Sequence, residues 1–323
     1  RAPFADAGEN VTLLSVAQSG VTIGGVASDP DGDPLTYRWL EGAAVLAGPA
    51  AVGPAGEAPL ALGALPVLAL GEHTLTLEVA DGAVSTSSTM VLTIGNSPPT
   101  AACSGAGTYQ AGVDCVTLRG IIADFDGDIV HWAWTENGVV LASGNTATTA
   151  GGDPVAIADL VLPTGVGAAP RLAVGSHALT LTVDDSVNPA MQCEVAVEVV
   201  DTQAPRLAPV ASTNILWPPN HRMVPVVIQA NASDAGGGPV FMTAEISSSE
   251  DPDKGGDGHT IRDYTTPVID QMTGTISFEL RAERVGRGEG RVYSIEITAT
   301  DAASNQTRAI VEIRAPKSRG THQ

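Results

Sequence analysis

ASDPDGDPLTYRWLEG, Ala27 to Gly42, is echoed downstream by ADFDGDIVHWAWTENG, Ala123 to Gly138. Asp29, Asp31 and Asp33 open the first copy, and Asp124, Asp126 and Asp128 the second. Leu35, Tyr37 and Trp39 follow in alternation and are answered by Val130, Trp132 and Trp134, each match 95 residues on. A self-match at that spacing means two copies of one domain, because short-period solenoids repeat every 20–50 residues. Side chains two apart on a strand share a face, so the large residues of each copy are expected inward, after an acidic turn. Burying a Tyr and a Trp together removes roughly 300–500 Å² from water, which makes this strand the expected centre of each core.

Working outward, the pattern stays β throughout. Leu75, Leu77 and Val79 alternate in HTLTLEVADG, and Leu179, Leu181 and Val183 do so in the second copy. The offset there is 104 rather than 95, which places a longer loop around residues 145–167, where insertions are best tolerated. Asn96-Ser97-Pro98-Pro99 reads as a linker, since consecutive prolines stop strand pairing. The chain after Asp201-Thr202-Gln203-Ala204-Pro205 is a third segment, with alternation in FELRAER, RVYSIEITATD and RAIVEIRAP. Many short strands with turn signals and no helical period imply an all-β protein of three tandem β-sandwich domains, 1–97, 98–202 and 203–323.

Charge narrows the partners. The net charge is −20, but residues 1–202 carry −18 of it and residues 203–323 only −2. So acidic a chain repels nucleic acid and anionic lipid, and neither is an expected partner. The most apolar stretches are short and broken by Pro49, Pro54, Pro59 and Pro66, so no membrane span is expected. The chain starts at Arg1 without a signal peptide and is expected to be a mature or excised product.

The residues carrying a family likeness are DPDGDPLTYRW, ADAGENVTL and GEHTLTLEVADG, which resemble the PKD family of extracellular Ig-like domains. The second copy resembles it too, with Phe125 in place of the usual Pro of the acidic loop. Its cysteines and CEVAVEVVDTQAP ending also resemble hyalin repeats. LWPPNHRMVPV, GDGHT, LRAER and GRVYSIEITATDAASN resemble a module that follows such repeats in secreted bacterial proteins. The resemblance implies rigid Ig-like modules outside the cell and no catalytic residues. The function it implies is structural or adhesive, and the charge split adds the expectation that copies of the chain assemble into filaments or meet other cell-surface proteins. The alternative is an accessory carbohydrate- or protein-binding region of a larger secreted enzyme.

Candidate chemistry is confined to a few places. Asp29, Asp31, Asp33, Asp124, Asp126 and Asp128 offer clustered hard oxygens that suit calcium, with Asp81 and Asp185 on the neighbouring inter-strand turn of a closed sandwich. The loops are not EF-hands, because the twelfth positions hold Leu40 and Thr135. The alternative is that Asp, Gly and Pro are simply good turn formers. A weaker acidic loop holds Glu250, Asp251, Asp253 and Asp257. His73, His177 and His221 have no partner motif and read as structural. HExxH, GxSxG, P-loop and CxxC signatures are absent, so the chain is not expected to be an enzyme.

Two further expectations concern covalent and assembly contacts. In an Ig-like sandwich the first and last strands run parallel as neighbours, which brings Cys103 and Cys193 to one end and favours their disulfide. Cys103–Cys115 is the alternative, and either bridge would imply an oxidising compartment. Arg281, Arg284, Arg287 and Arg291 are expected to form either a solvated face or a surface that receives an acidic module of another copy.

Overall fold

The computed structural model describes residues 1–167, 170–251 and 262–318. Its regular structure is almost wholly β-strand, arranged in separate three-, four- and five-stranded sheets. Two compact units are formed: Arg1–Gly105 with Leu118–Leu160 and Ala178–Val195, and Ala106–Thr117 with Val161–His177 and Ala196–Gln323.

In the first unit, Phe4–Asp6, Thr22–Ser28 and Glu57–Ala61 make a three-stranded antiparallel sheet. The facing sheet has five strands in the order Val11–Leu14, Ser85–Gly95, Gly71–Ala80, Thr36–Glu41 and Ala44–Ala51. Only the first pair is parallel. The chain therefore enters through one sheet and crosses to the other before its first long excursion. Trp39 is fully buried between the sheets, with Leu60, Leu75, Leu77 and Leu92 around it. Its indole Nε1 donates to the carbonyl of Ala58 at 2.9 Å, and the Tyr37 hydroxyl donates to Pro59 at 3.2 Å. These bonds satisfy the polar ends of two large rings that otherwise give up water.

Gly25 lies opposite Ala58 in the smaller sheet, and nothing larger fits there. A Cβ on it would stand 2.8 Å from the Ala58 carbonyl, Leu77 and Trp39. Gly120, 95 residues on, is closed in the same way by Ile157 and Leu181. The repeat thus extends to the glycine that leaves room for the core. Trp134 is as buried as Trp39, but Trp132 is only half-buried: it lies over Gly144 and donates to the Thr146 hydroxyl at 3.2 Å. The strand Ile129–Glu136 pairs on both sides, with Val139–Ala147 and with residues of Gly175–Asp184, and the bulge at Trp134/Thr135 lies on the first of these edges.

Cys103 and Cys193 are joined by a disulfide with a Cα–Cα distance of 6.1 Å, and Cys115 is free and exposed. The expected reason for that pairing needs correcting. The strand of Cys103, Thr100–Ser104, runs antiparallel to Cys115–Ala123. The parallel neighbour of the last strand is Gly107–Gln110, a separate strand after a break at Gly105.

In the second unit, Val210–Ala211, Met223–Gln229, Thr275–Arg281 and Val268–Asp270 form one antiparallel sheet, and Phe241–Ser248, Gly290–Thr300 and Gln306–Pro316 another. Tyr293, Ile295 and Ile297 point inward and meet Ile228, Ile276, Leu280 and Ile313.

Candidate metal centres

The acidic loops fold by the same local rule. Asp29 Oδ1 accepts the N–H groups of Asp31 at 2.7 Å and Asp33 at 3.2 Å, an Asx turn that a short carboxylate makes readily. Asp124 Oδ1 accepts from Asp126, Gly127 and Asp128 at 2.9, 3.1 and 3.3 Å. In both loops the other oxygen, Oδ2, is buried and has no hydrogen-bond partner. Asp124 is 1% exposed. Burial pushes its carboxyl up from the ordinary value, and the charges of Asp128 and Asp126 add to the shift, against the pull of the backbone N–H groups.

The turn after the long strand supplies the third acid. Asp81 Oδ1 accepts the N–H of Val84 and Ala83, which hold its carboxyl below the usual range. Burial works against the charge of Asp185, but the side chain and N–H of Asn188 and the N–H of Val187 outweigh it and keep that carboxyl low. Carboxylate oxygens of Asp29, Asp33 and Asp81 lie within 4.8 Å of one another, as do those of Asp124, Asp128 and Asp185.

Two of the eight expected ligands stand outside these triads. Because the first Asp folds back onto the N–H groups that follow it, the middle Asp is turned away. Asp31 meets the amino group of Arg1, and Asp126 accepts the N–H of Ser97 at 2.7 Å. The linker before the second acidic loop is bound to it at a further point. Asn96 Nδ2 donates to Asp128, and Asn96 Oδ1 accepts from Asn188 Nδ2 at 2.6 Å. Ser97 is buried; its hydroxyl meets Ser15 Oγ at 2.6 Å and accepts the N–H of Val16 at 3.0 Å.

A third triad, in the second unit, was missed by the sequence reading. It gathers Asp201, Asp234 and Asp301. Asp301 is buried and accepts both the N–H and the side-chain amide of Asn305. Asp234 Oδ2 accepts the N–H of Gly237 at 2.6 Å. The usable signal was positional: Asp81, Asp185 and Asp301 each come at the end of a long strand, before the turn to its partner. Asp234 sits in SDAGGG, without the alternating acids of the other loops.

The arginine surface is corrected. Arg291 is fully buried and ion-paired to Asp263, to Glu250 at 3.2 Å and to Glu283 at 3.5 Å. Arg281 donates to the carbonyls of Arg262 and His221, and Arg284 to those of Val285, Gly286 and Lys317. Of the four, only Arg287 is exposed. An inward-facing position on an alternating strand put Arg291 in the core, where only carboxylate partners make a guanidinium tolerable. Glu250 is thereby committed to Arg291 and to the N–H of Val285, not to a metal loop. Asp253 and Asp257 lie outside the described residues.

The histidines are held by backbone and acid. His73 Nε2 meets the Ala69 carbonyl at 2.8 Å and its Nδ1 meets Glu41 at 2.7 Å; His177 Nε2 meets Ala173 at 2.8 Å. No helix among the described residues is long and apolar enough to cross a membrane.

No protein-family model matches the chain, and no curated protein matches it. Solved structures do. A bacterial ice-binding adhesin of 1.5 MDa matches with 16% identity, 96% of this chain, 95% of that one and a TM-score of 0.37. The I67–I69 fragment of titin matches with 10% identity, 96% and 97% coverage and a TM-score of 0.31. Fibronectin(III)-like modules of Clostridium thermocellum CbhA match with 15% identity, 62% and 94% coverage and a TM-score of 0.24.

Proposed function

We propose that the chain is a non-catalytic, extracellular array of Ig-like modules, structural or adhesive in role, whose acidic loops take calcium. The modules are the three segments 1–97, 98–202 and 203–323, the first two PKD-like. The observation that carries the calcium reading is Asp124. A carboxylate oxygen buried without a donor, beside two more carboxylates within 4.8 Å, is costly unless a cation completes it. Asp124, Asp128 and Asp185 would hold the ion, and Asp29, Asp33 and Asp81 its counterpart in the first module. Oxygen donors of this hardness fit calcium rather than a thiolate- or imidazole-seeking metal. Bound there, calcium would neutralise charge and fix the loop that Asn96 and Ser97 contact.

The Cys103–Cys193 bridge supports an oxidising, extracellular setting. Trp39, Trp134 and Tyr37 are buried, so these rings are not free to form a sugar-binding platform. Partners in this reading are other copies of the chain or other surface proteins. Calorimetry with added calcium, and melting with calcium or chelator, tests the metal reading. At a free concentration a hundred times the dissociation constant, about 2.7 kcal/mol of added stability is expected. Asp124→Asn should remove most of the effect of the second site. Absence of binding heat together with identical melting in chelator rejects the calcium reading.

A further inference from the structure

Gln306–Pro316 is the longest strand left at a sheet edge among the described residues, and it pairs with Gly290–Thr300 without a shift of register over all its 11 residues. Its far edge is taken at one point: Arg314 donates its N–H to the Asn214 carbonyl at 2.9 Å and accepts that of Leu216 at 2.8 Å. Backbone groups alternate from edge to edge along a strand, so those of Glu312, Ile310 and Arg308 also face away from Gly290–Thr300. No strand among the described residues pairs with them. The side chains of the same three residues share the outer face of the sheet, with Ile310 63% exposed between Arg308 and Glu312. A long regular edge is a template for a further strand, and charges on it normally guard against that. Here the two charges are opposite in sign and stand equally far from Ile310.

We propose that this edge recognises itself: Arg308–Glu312 of two copies pair antiparallel about a two-fold axis at Ile310, joining their three-stranded sheets into one. This rests on the reading that copies of the chain are partners, and names the surface they use. In that register Ile310 meets Ile310, and each Arg308 lies opposite Glu312 of the other copy, so both charged pairs attract. The three bonded pairs exchange about six N–H···O bonds that the edge otherwise gives to water. The next register one way sets Arg308 against Ile310, and the other way against Arg314; beyond those, Arg308 or Glu312 faces itself. Like charges directly opposite destabilise, so the pattern picks one register. The contacts each charge has in its own chain, Arg308 with Glu296 at 3.3 Å and Glu312 with Arg314 at 2.7 Å, are exposed ion pairs that can be shared at little cost. Asn214 and Leu216 at Arg314 end the overlap, where strand twist carries the two copies apart. An isologous contact of this kind closes at two copies. Residues 203–323 carry only −2 of the net −20, so copies repel least through this part of the chain.

The test is sedimentation velocity of the whole chain over a range of concentrations, in chelator so that calcium at the acidic loops stays out of the result. A concentration-dependent dimer is expected. Ile310→Pro should abolish it: the lost N–H points outward, so the ring spares the bonds to Gly290–Thr300 while blocking the bonded pair at the axis. Arg308→Glu and Glu312→Arg should each weaken the dimer about tenfold or more, and combined in one chain they should restore it. If Ile310→Pro does not fold, the charge exchange decides alone. A chain that stays monomeric overturns the proposal and leaves other surface proteins as the partners. A dimer that persists in Ile310→Pro, or that the combined exchange fails to restore, overturns this surface and leaves self-association to another one.

Discussion

Gly25→Ala is a one-methyl perturbation whose cost can be worked from contacts. The new Cβ would stand 2.8 Å from three groups, where ordinary contact begins at 3.4 Å, so 0.6 Å must be recovered on three sides at once. One of those groups is the Ala58 carbonyl, a backbone atom held by the sheet, which also accepts the Trp39 indole at 2.9 Å. Overpacking of this kind costs roughly 1–3 kcal/mol, and weakening the buried indole bond adds about 1 kcal/mol, giving roughly 2–4 kcal/mol. Gly120→Ala is the internal comparison. The three atoms nearest its new methyl all belong to the side chains of Ile157 and Leu181, which can turn aside, and a cost of roughly 1 kcal/mol is expected. Urea unfolding measures both: at a slope of about 2 kcal/mol per molar, Gly25→Ala should move the midpoint of its module down by roughly 1–2 M. An unchanged midpoint, or a larger loss in Gly120→Ala, would refute the reasoning that the fixed carbonyl sets the cost.

Replacing Cys103 and Cys193 by Ser opens a loop with a sequence separation of 90 and should cost roughly 4–5 kcal/mol on the chain-entropy account. Peptide mapping without reductant should recover that pair, and a linked peptide containing Cys115 would contradict it. Arg291→Met strips the buried acids of their guanidinium and should destabilise by roughly 3–5 kcal/mol, whereas exposed Arg287→Glu should stay within about 0.5 kcal/mol in the same denaturation assay. Burial disfavours the His73 imidazolium, but the Ala69 carbonyl and Glu41 prevail and hold its pKa above the ordinary value. Its contribution to stability is therefore full below about pH 6.5 and is lost as pH rises through the raised value, and Glu41→Gln should lower the titration midpoint read by NMR.

The fold was legible because strand alternation leaves its mark on every second residue. Trp39, Leu75, Leu77, Val79, Tyr293 and Ile297 are inward where the period puts them. Trp132 departs from that pattern because an indole can lie half-buried across a glycine, and Gly144 belongs to a strand whose pairing the sequence alone does not fix. The acidic triads were half legible. Asp-rich loops announce themselves, but which carboxylates converge depends on the turn that sends Asp31 and Asp126 aside. Asp201, Asp234 and Asp301 are separated by 33 and 67 residues and share no local motif, so only the fold assembles them. Arg291 misled for a different reason: a tally of charge counts arginines without asking which face of the strand they occupy.

Ser97 has a mechanical consequence. Its hydroxyl is tied to Ser15 and Val16, and its N–H to Asp126, while its neighbour Asn96 holds Asp128 and Asn188. A pull along the chain passes through the peptide bonds and loads these ties little. A bend at the linker must stretch these ties, because they hold Asn96 and Ser97 to residues far from them in sequence. They act as guy-lines at a joint, adding resistance to flexing without adding tensile strength. Removing one of them, by Asn96→Ala or Asp126→Ala, should widen the range of angles the joint explores.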